Sequence, residues 1–279
     1  MSRIQNILEK AERDGSVRRL RNLAEPLAAG ELAAVNDAVQ APPAVPPFMA
    51  DAAMPAVPAV GTGRTISSVR LDPRLVAALA PSSAAAEQYR ALRTRILHAD
   101  TGSAVNVVMV TSPGRGEGKT LTAANLALTM AQDFQRRICV VDANLRHPQV
   151  HEVFGLTEGV GLSDVLVGRV PLNEAIVTLE EYQVSVLPAG LSATHPAELL
   201  GASAMRRTLD ALRSSFDRVV IDAPSAVPLA DVGIMTPLVD TVLLVVRADV
   251  TSRPAIHDAL TSIDDAKLLG IVLNETIAW

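Results

Sequence analysis

One stretch restricts what this chain can fold into more than any other: residues 106–127, NVVMVTSPGRGEGKTLTAANLA. A β-branched apolar run enters a glycine-rich turn ending in Lys-Thr, and a helix of small residues follows. A strand that delivers such a loop onto a helix N-terminus gathers backbone N–H groups into a concave set, backed by the helix dipole, where a triphosphate can sit. Gly114, Gly116 and Gly118 let the backbone turn sharply and approach phosphate oxygens. Lys119 is a point charge placed for the β- and γ-phosphates, and the Thr120 hydroxyl suits Mg²⁺. The pattern G-x-x-x-x-G-K-[ST] fails only at its first glycine, which falls on Pro113, and Gly114 supplies the turn one residue later. The candidate nucleotide-binding set is therefore Gly114, Arg115, Gly116, Glu117, Gly118, Lys119, Thr120 and Leu121. A β-to-α connection with an incidental lysine is the bland alternative, and the fitting strand and helix on either side disfavour it.

The formal charge of -5 and pI near 5.6 argue against a general nucleic-acid-binding surface, so no nucleic-acid partner is expected. Cys139 is the one cysteine and falls inside an apolar run, which excludes a disulfide framework and reads as a buried thiol. No uninterrupted apolar run approaches the roughly 20 residues that cross a bilayer. The charged N-terminus lacks a secretory hydrophobic segment. A cytoplasmic location is expected, with any recruitment to the membrane arriving through a partner.

Three regions are expected along the chain. Residues 1–40 hold a basic amphipathic helix, with Ile4, Ile7, Leu8 and Ala11 at helical spacing. Its partner could equally be protein or anionic lipid, or the stripe could simply be solvated. Residues 41–80 form a Pro/Ala-rich linker whose proline-dense part, 41–63, forbids helix and central strand. Residues 81–279 form the ATP-binding domain.

Within that domain residues 81–99 read as a helix capped by Ser82 or Ser83, with Glu87, Arg90 and Arg93 on one face beside Tyr89. Residues 137–142 (RICVVD) and 218–222 (RVVID) are buried strands that each end in an aspartate. Ligands of open parallel sheets bind at the carboxyl ends of strands, which puts Asp142 and Asp222 at the mouth of the nucleotide site. Either could organise Mg²⁺, and Asp142 could take a proton from an attacking hydroxyl. Asp231, farther along, either completes this site or caps a helix. Further strands at 184–187, 241–246 and 268–273 alternate with helices at 196–215 and 253–266. Such alternation implies an α/β fold, a parallel sheet with helices on both faces. His147, His151 and His195 lack metal-ligand spacing.

The blocks AEQYRALRTRI, TSPGRGEGKTLTAANLA, ICVVDANLRHP, GLSDVLVG, LPAG, HPAELL, FDRVVIDAPSAVPLAD and VLLVVRADVTSR occur in this order. Over residues 81–274 the sequence resembles the bacterial tyrosine autokinases (CpsD, CapB and Wzc-like) of exopolysaccharide and capsule loci. The opening MSRIQNILEKAERDG with its linker is similar to the branch found with PEP-CTERM/exosortase systems. The resemblance implies a P-loop NTPase fold of the ParA/MinD kind, ATP and Mg²⁺ as cofactors, and protein-tyrosine kinase activity. Carried over, Lys119, Asp142 and Asp222 are the catalytic residues, and Thr120, Asp142 and Asp222 the metal contacts. Asp142 matches the first aspartate of a D-x-D-x-R motif and Asp222 the Walker B aspartate. Glu87, Arg90 and Arg93 match an E-x-x-R-x-x-R helix that supports homo-oligomers. The implied partner is a membrane chain-length determinant, a polysaccharide co-polymerase, and the implied substrates are protein tyrosines in trans.

Two departures from the family pattern stand out. The second aspartate of D-x-D-x-R is Asn144, which removes a charge near the metal. The sequence carries only Tyr89 and Tyr182, so phosphorylation of a tyrosine-rich tail is not expected. The alternatives are an ATP-binding assembly factor of the polysaccharide machinery with weak or no kinase activity, and a ParA/MinD-type ATPase. The loop lacks the extra lysine that typically opens the glycine run of the latter.

Overall fold

Apolar runs of β-branched residues give the strands of this protein, and the unbroken apolar runs in the middle of the sheet are buried on both faces. In a computed structural model residues 63–98, 105–132, 136–191 and 195–275 are described. The helix expected within residues 1–40 and the proline-dense part of the linker lie outside the described residues.

Eight strands form one sheet: β1 (Arg64–Ile66), β2 (Val107–Thr111), β3 (Ile138–Asp142), β4 (Val177–Leu179), β5 (Val184–Leu187), β6 (Arg218–Asp222), β7 (Thr241–Arg247) and β8 (Leu268–Asn274). Their spatial order is β1-β4-β5-β3-β6-β2-β7-β8. Pairing is parallel everywhere except between β4 and β5. Every residue of β2, β3 and β6 is buried, as a central parallel strand requires.

The helices are α1 (Val76–Leu79), α2 (Ala84–His98), α3 (Lys119–Ala131), α4 (Val150–Val153), α5 (Leu162–Leu166), α6 (Leu172–Ala175), α7 (Pro196–Gly201), α8 (Ser203–Ser215), α9 (Asp231–Met235) and α10 (Arg253–Thr261). Alternation along the strands sends Val108, Val110, Val140, Val220, Leu243 and Val245 to one face, where they meet Ala123, Leu126, Ala127 and Met130 of α3. Against the opposite face α8 lies on β6, with Met205, Leu209 and Leu212 buried. Helices therefore cover both faces, as the strand–helix alternation predicts.

The linker expected to run to residue 80 ends sooner. Residues 64–66 pair with β4, and Leu71, Leu75 and Ala77 are buried in the core. The prolines that defined the linker stop at Pro58, and Pro73 does not disrupt a strand or helix, so composition overstated its reach. Asn125, in the middle of α3, brackets this segment: its Oδ1 accepts from Ala77 N at 3.0 Å and its Nδ2 donates to Arg74 O at 3.1 Å. The antiparallel β4 and the short α6 before it also escaped the reading, because three- and four-residue elements carry too few residues to show a period. Helix α10 stops at Thr261 rather than 266, where Asp264 instead accepts from Ala266 N at 2.9 Å and closes a turn.

Candidate active site

The carboxyl ends of three adjacent central strands, β3, β6 and β2, carry the site, as expected of an open parallel sheet. From β2 the chain passes through Ser112 and Pro113 into the glycine loop and then into α3. Gly118 caps α3 with φ 90°, and a Cβ there would collide with the Asn274 side-chain amide. Only glycine fits this position. Asn274, the last residue of β8, in turn donates from Nδ2 to Glu117 O at 3.0 Å, so the neighbouring edge of the sheet holds the loop. Sequence reasoning missed Asn274; its one signal is an amide residue closing an apolar strand.

The predicted loop residues divide by role. Gly114 N donates to Glu117 Oε1 at 3.1 Å, and burial raises the Glu117 carboxyl above its ordinary value. Arg115 and Gly116 are exposed at the tip, with Gly116 at φ 76°. The Leu121 side chain packs against the core, so only its backbone belongs to the loop's helix N-terminus.

Lys119, Thr120 and Asp222 come together. The Thr120 hydroxyl donates to Asp222 Oδ2 at 2.7 Å, while Lys119 Nζ lies 3.5 Å from Asp222 Oδ1 and 3.3 Å from Thr120 Oγ1. Asp142 and Asp222 stand opposite each other in the β3–β6 ladder, both with no exposed surface. Asp142 is bound differently: Oδ1 accepts from Asn144 N at 3.0 Å, and Oδ2 from Gln149 N at 3.1 Å and Val150 N at 3.0 Å. An ionised carboxylate offers about four lone-pair directions, so roughly one remains on Asp142.

Burial, and after it the charge of Asp222, push the Asp142 carboxyl up to about 7 against the opposing pull of the backbone N–H groups. Burial raises Asp222 as well, with Lys119 and the Thr120 hydroxyl pulling down. Two carboxylates forced together out of water call for a cation. A hydroxyl and two carboxylates, all oxygen donors beside a phosphate loop, fit Mg²⁺.

The other expected residues lie as follows. Asn144 spends its side chain on a turn, donating from Nδ2 to His147 O at 2.7 Å. Asp231 does not cap its helix; both its oxygens accept from Arg146, Nε to Oδ2 at 2.8 Å and Nη2 to Oδ1 at 3.1 Å. On α2, which packs against α3, Arg90 Nε donates to Glu87 Oε2 at 2.8 Å and Arg93 Nη1 to Thr129 O at 2.8 Å. Ser83 caps that helix, its Oγ accepting from Ala86 N at 3.1 Å. Tyr182 precedes β5, whose first residue pairs with the start of β3, so it sits at the end of the strands opposite Asp142.

A phosphate loop on β2, an aspartate closing each of two neighbouring strands, and a largely parallel sheet define a P-loop nucleotide-binding protein. The family described as an AAA domain matches residues 105–277. The chain is 34% identical over 207 residues to "Tyrosine-protein kinase YwqD" of Bacillus subtilis, covering 74% of this chain and 87% of that one. It is 30% identical over 199 residues to "Tyrosine-protein kinase etk" of Escherichia coli, covering 71% of this chain but 27% of that one. Among solved structures, the kinase domain of Escherichia coli ETK superposes with TM-score 0.71 at 26% identity, over 78% of this chain and 89% of that one. The chimerical protein CapA2B2 gives TM-score 0.70 at 29% identity, over 78% and 95%. The chain belongs to the bacterial tyrosine-protein kinase family. Among the described residues no helix is long and apolar enough to cross a membrane.

Proposed function

We propose that this protein is an ATP-dependent, non-specific protein-tyrosine kinase that regulates exopolysaccharide or capsule polymerisation and export. The observation that carries the reading is the meeting of Lys119, Thr120 and Asp222 within 3.5 Å, with Asp142 beside them in register. Bound Mg²⁺ supplies charge neutralisation of the β- and γ-oxygens. Thr120 and Asp222 would hold it, with Asp142 next to them, and Lys119 turns from Asp222 to the phosphates once they arrive. Asp142 is the base: its backbone donors leave one lone-pair direction of the carboxylate to receive a tyrosine's proton.

The acceptor comes from another protein or another copy, because Tyr182 lies at the opposite end of the strands and Tyr89 is packed onto α3 with its hydroxyl hydrogen-bonded to Thr122 and Asn125. Membership of the family supports a membrane chain-length determinant as partner, a cytoplasmic site of action and a homo-oligomer built through α2. On that helix Glu87 is largely exposed even while paired with Arg90. The proposed organisation is an N-terminal helical region, a proline-rich linker and the kinase domain.

Incubation with labelled ATP and the partner is expected to give phosphotyrosine, and Lys119→Met to reduce it by about 10³-fold. ATP uptake without any phosphotyrosine would instead favour the assembly-factor reading. Asn144 is the observation on that side, since its side chain serves a turn where the family pattern has a second carboxylate.

A further inference from the structure

The chain leaves Asp142 through residues 143–149 and leaves Asp222 through residues 223–230. One side-chain pair joins these two exits: Arg146 on the first and Asp231 at the end of the second. Asp231 has no exposed surface, Arg146 is about one-third exposed, and the guanidinium meets the carboxylate through two parallel N–H donors. The exit from β6 is also fixed on its other side. Ala226 N donates to Ser112 O at 2.8 Å and the Thr111 hydroxyl to Pro224 O at 2.6 Å, which ties it to the base of the phosphate loop. The exit from β3 wraps the Asp142 carboxylate with the backbone N–H groups of Asn144, Gln149 and Val150. Arg146 lies between those donors in the chain.

We infer that Arg146 and Asp231 are positioning residues that hold the Asp142 loop against the Asp222 loop and so set the spacing of the two metal-facing carboxylates. The inference rests on the nucleotide–Mg²⁺ reading of the site. A guanidinium is required because two donors in one plane fix both distance and angle; an ammonium at the same place fixes only a distance. Replacing Arg146 with lysine keeps the charge and releases the angle. Replacing both partners with apolar residues removes the buried charges together, so the chain folds while the exits come apart.

The test uses the full chain and follows Mn²⁺–ADP binding by electron paramagnetic resonance, with thermal melting alongside. Arg146→Lys is expected to weaken Mn²⁺ binding at least fivefold while ADP affinity without metal stays within twofold. The double variant Arg146→Met/Asp231→Leu is expected to melt close to the parent and to show the same loss. In turnover both should raise the Mg²⁺ concentration for half-maximal rate more than they raise KM for ATP. Melting shifts with Mn²⁺ affinity unchanged within twofold in both variants would reduce the pair to a structural clasp and overturn the inference. If the unaltered chain takes up no Mn²⁺–ADP, the nucleotide reading falls and the inference with it, an outcome distinct from unchanged variants of a binding parent.

Discussion

The ends of β3 and β6 look alike in sequence and are held in opposite ways. Each is an apolar strand closing in an aspartate, the two face each other in register, and both carboxylates are buried. Asp142 is gripped by backbone N–H groups of its own loop, whereas Asp222 is gripped by side chains of the phosphate loop. Backbone donors cannot turn away; a hydroxyl rotor and a lysine can. One carboxylate is thus built into the architecture and the other is free to exchange partners when a nucleotide enters.

Substituting each in turn should break the symmetry. Asp222→Asn is expected to lower phosphotyrosine formation by about 10³-fold, through loss of charge at the metal, while melting shifts little because Thr120 can reverse its hydroxyl. Asp142→Asn should do the opposite to stability. An amide has one acceptor atom for three backbone donors on two oxygens, so its NH₂ would face an N–H, at about 1–3 kcal/mol. Denaturant melts of both variants decide it; equal losses would mean that the two carboxylates are held alike.

The proton balance sharpens the same contrast. An acid whose folded pKa lies above its unfolded one binds more protons folded than unfolded between the two values, so stability falls as pH rises through that window. With Asp142 raised from the ordinary carboxylate value to about 7, the nucleotide-free protein should lose melting temperature between about pH 4 and pH 7. Asp222→Asn removes the neighbouring charge and should flatten the slope. A melting temperature that climbs across this range in calorimetry would contradict the assignment. The smallest effect concerns Asn144→Asp, which sets a carboxylate oxygen against the His147 carbonyl and should cost about 1 kcal/mol. Its turnover should stay within threefold of the parent. A tenfold gain would mean that position 144 reaches the metal after all and that the natural protein is a weakened enzyme.

Much of this site was legible because its parts are local. Loop, lysine and threonine are contiguous, and a strand that ends in an aspartate announces itself within six residues, as at 137–142 and 218–222. Arg146 with Asp231, Asn274 under Gly118, and Asn125 bracketing residues 74–77 were not legible. Each joins residues 48 to 157 apart through one or two side chains, and no periodicity marks such a pair.

The amino-acid order alone decided that a phosphate cradle sits between strand and helix, that the sheet is mostly parallel, and that Asp142 and Asp222 stand at the carboxyl ends of its strands. Those features follow from hydrophobic period and glycine placement, which act over a few neighbouring residues. Only the three-dimensional fold decided that residues 64–66 join the sheet, that Asn144 serves a turn, and which donors each aspartate faces. Such choices depend on distant groups that must satisfy one another once water is excluded, and nothing local in a chain records them.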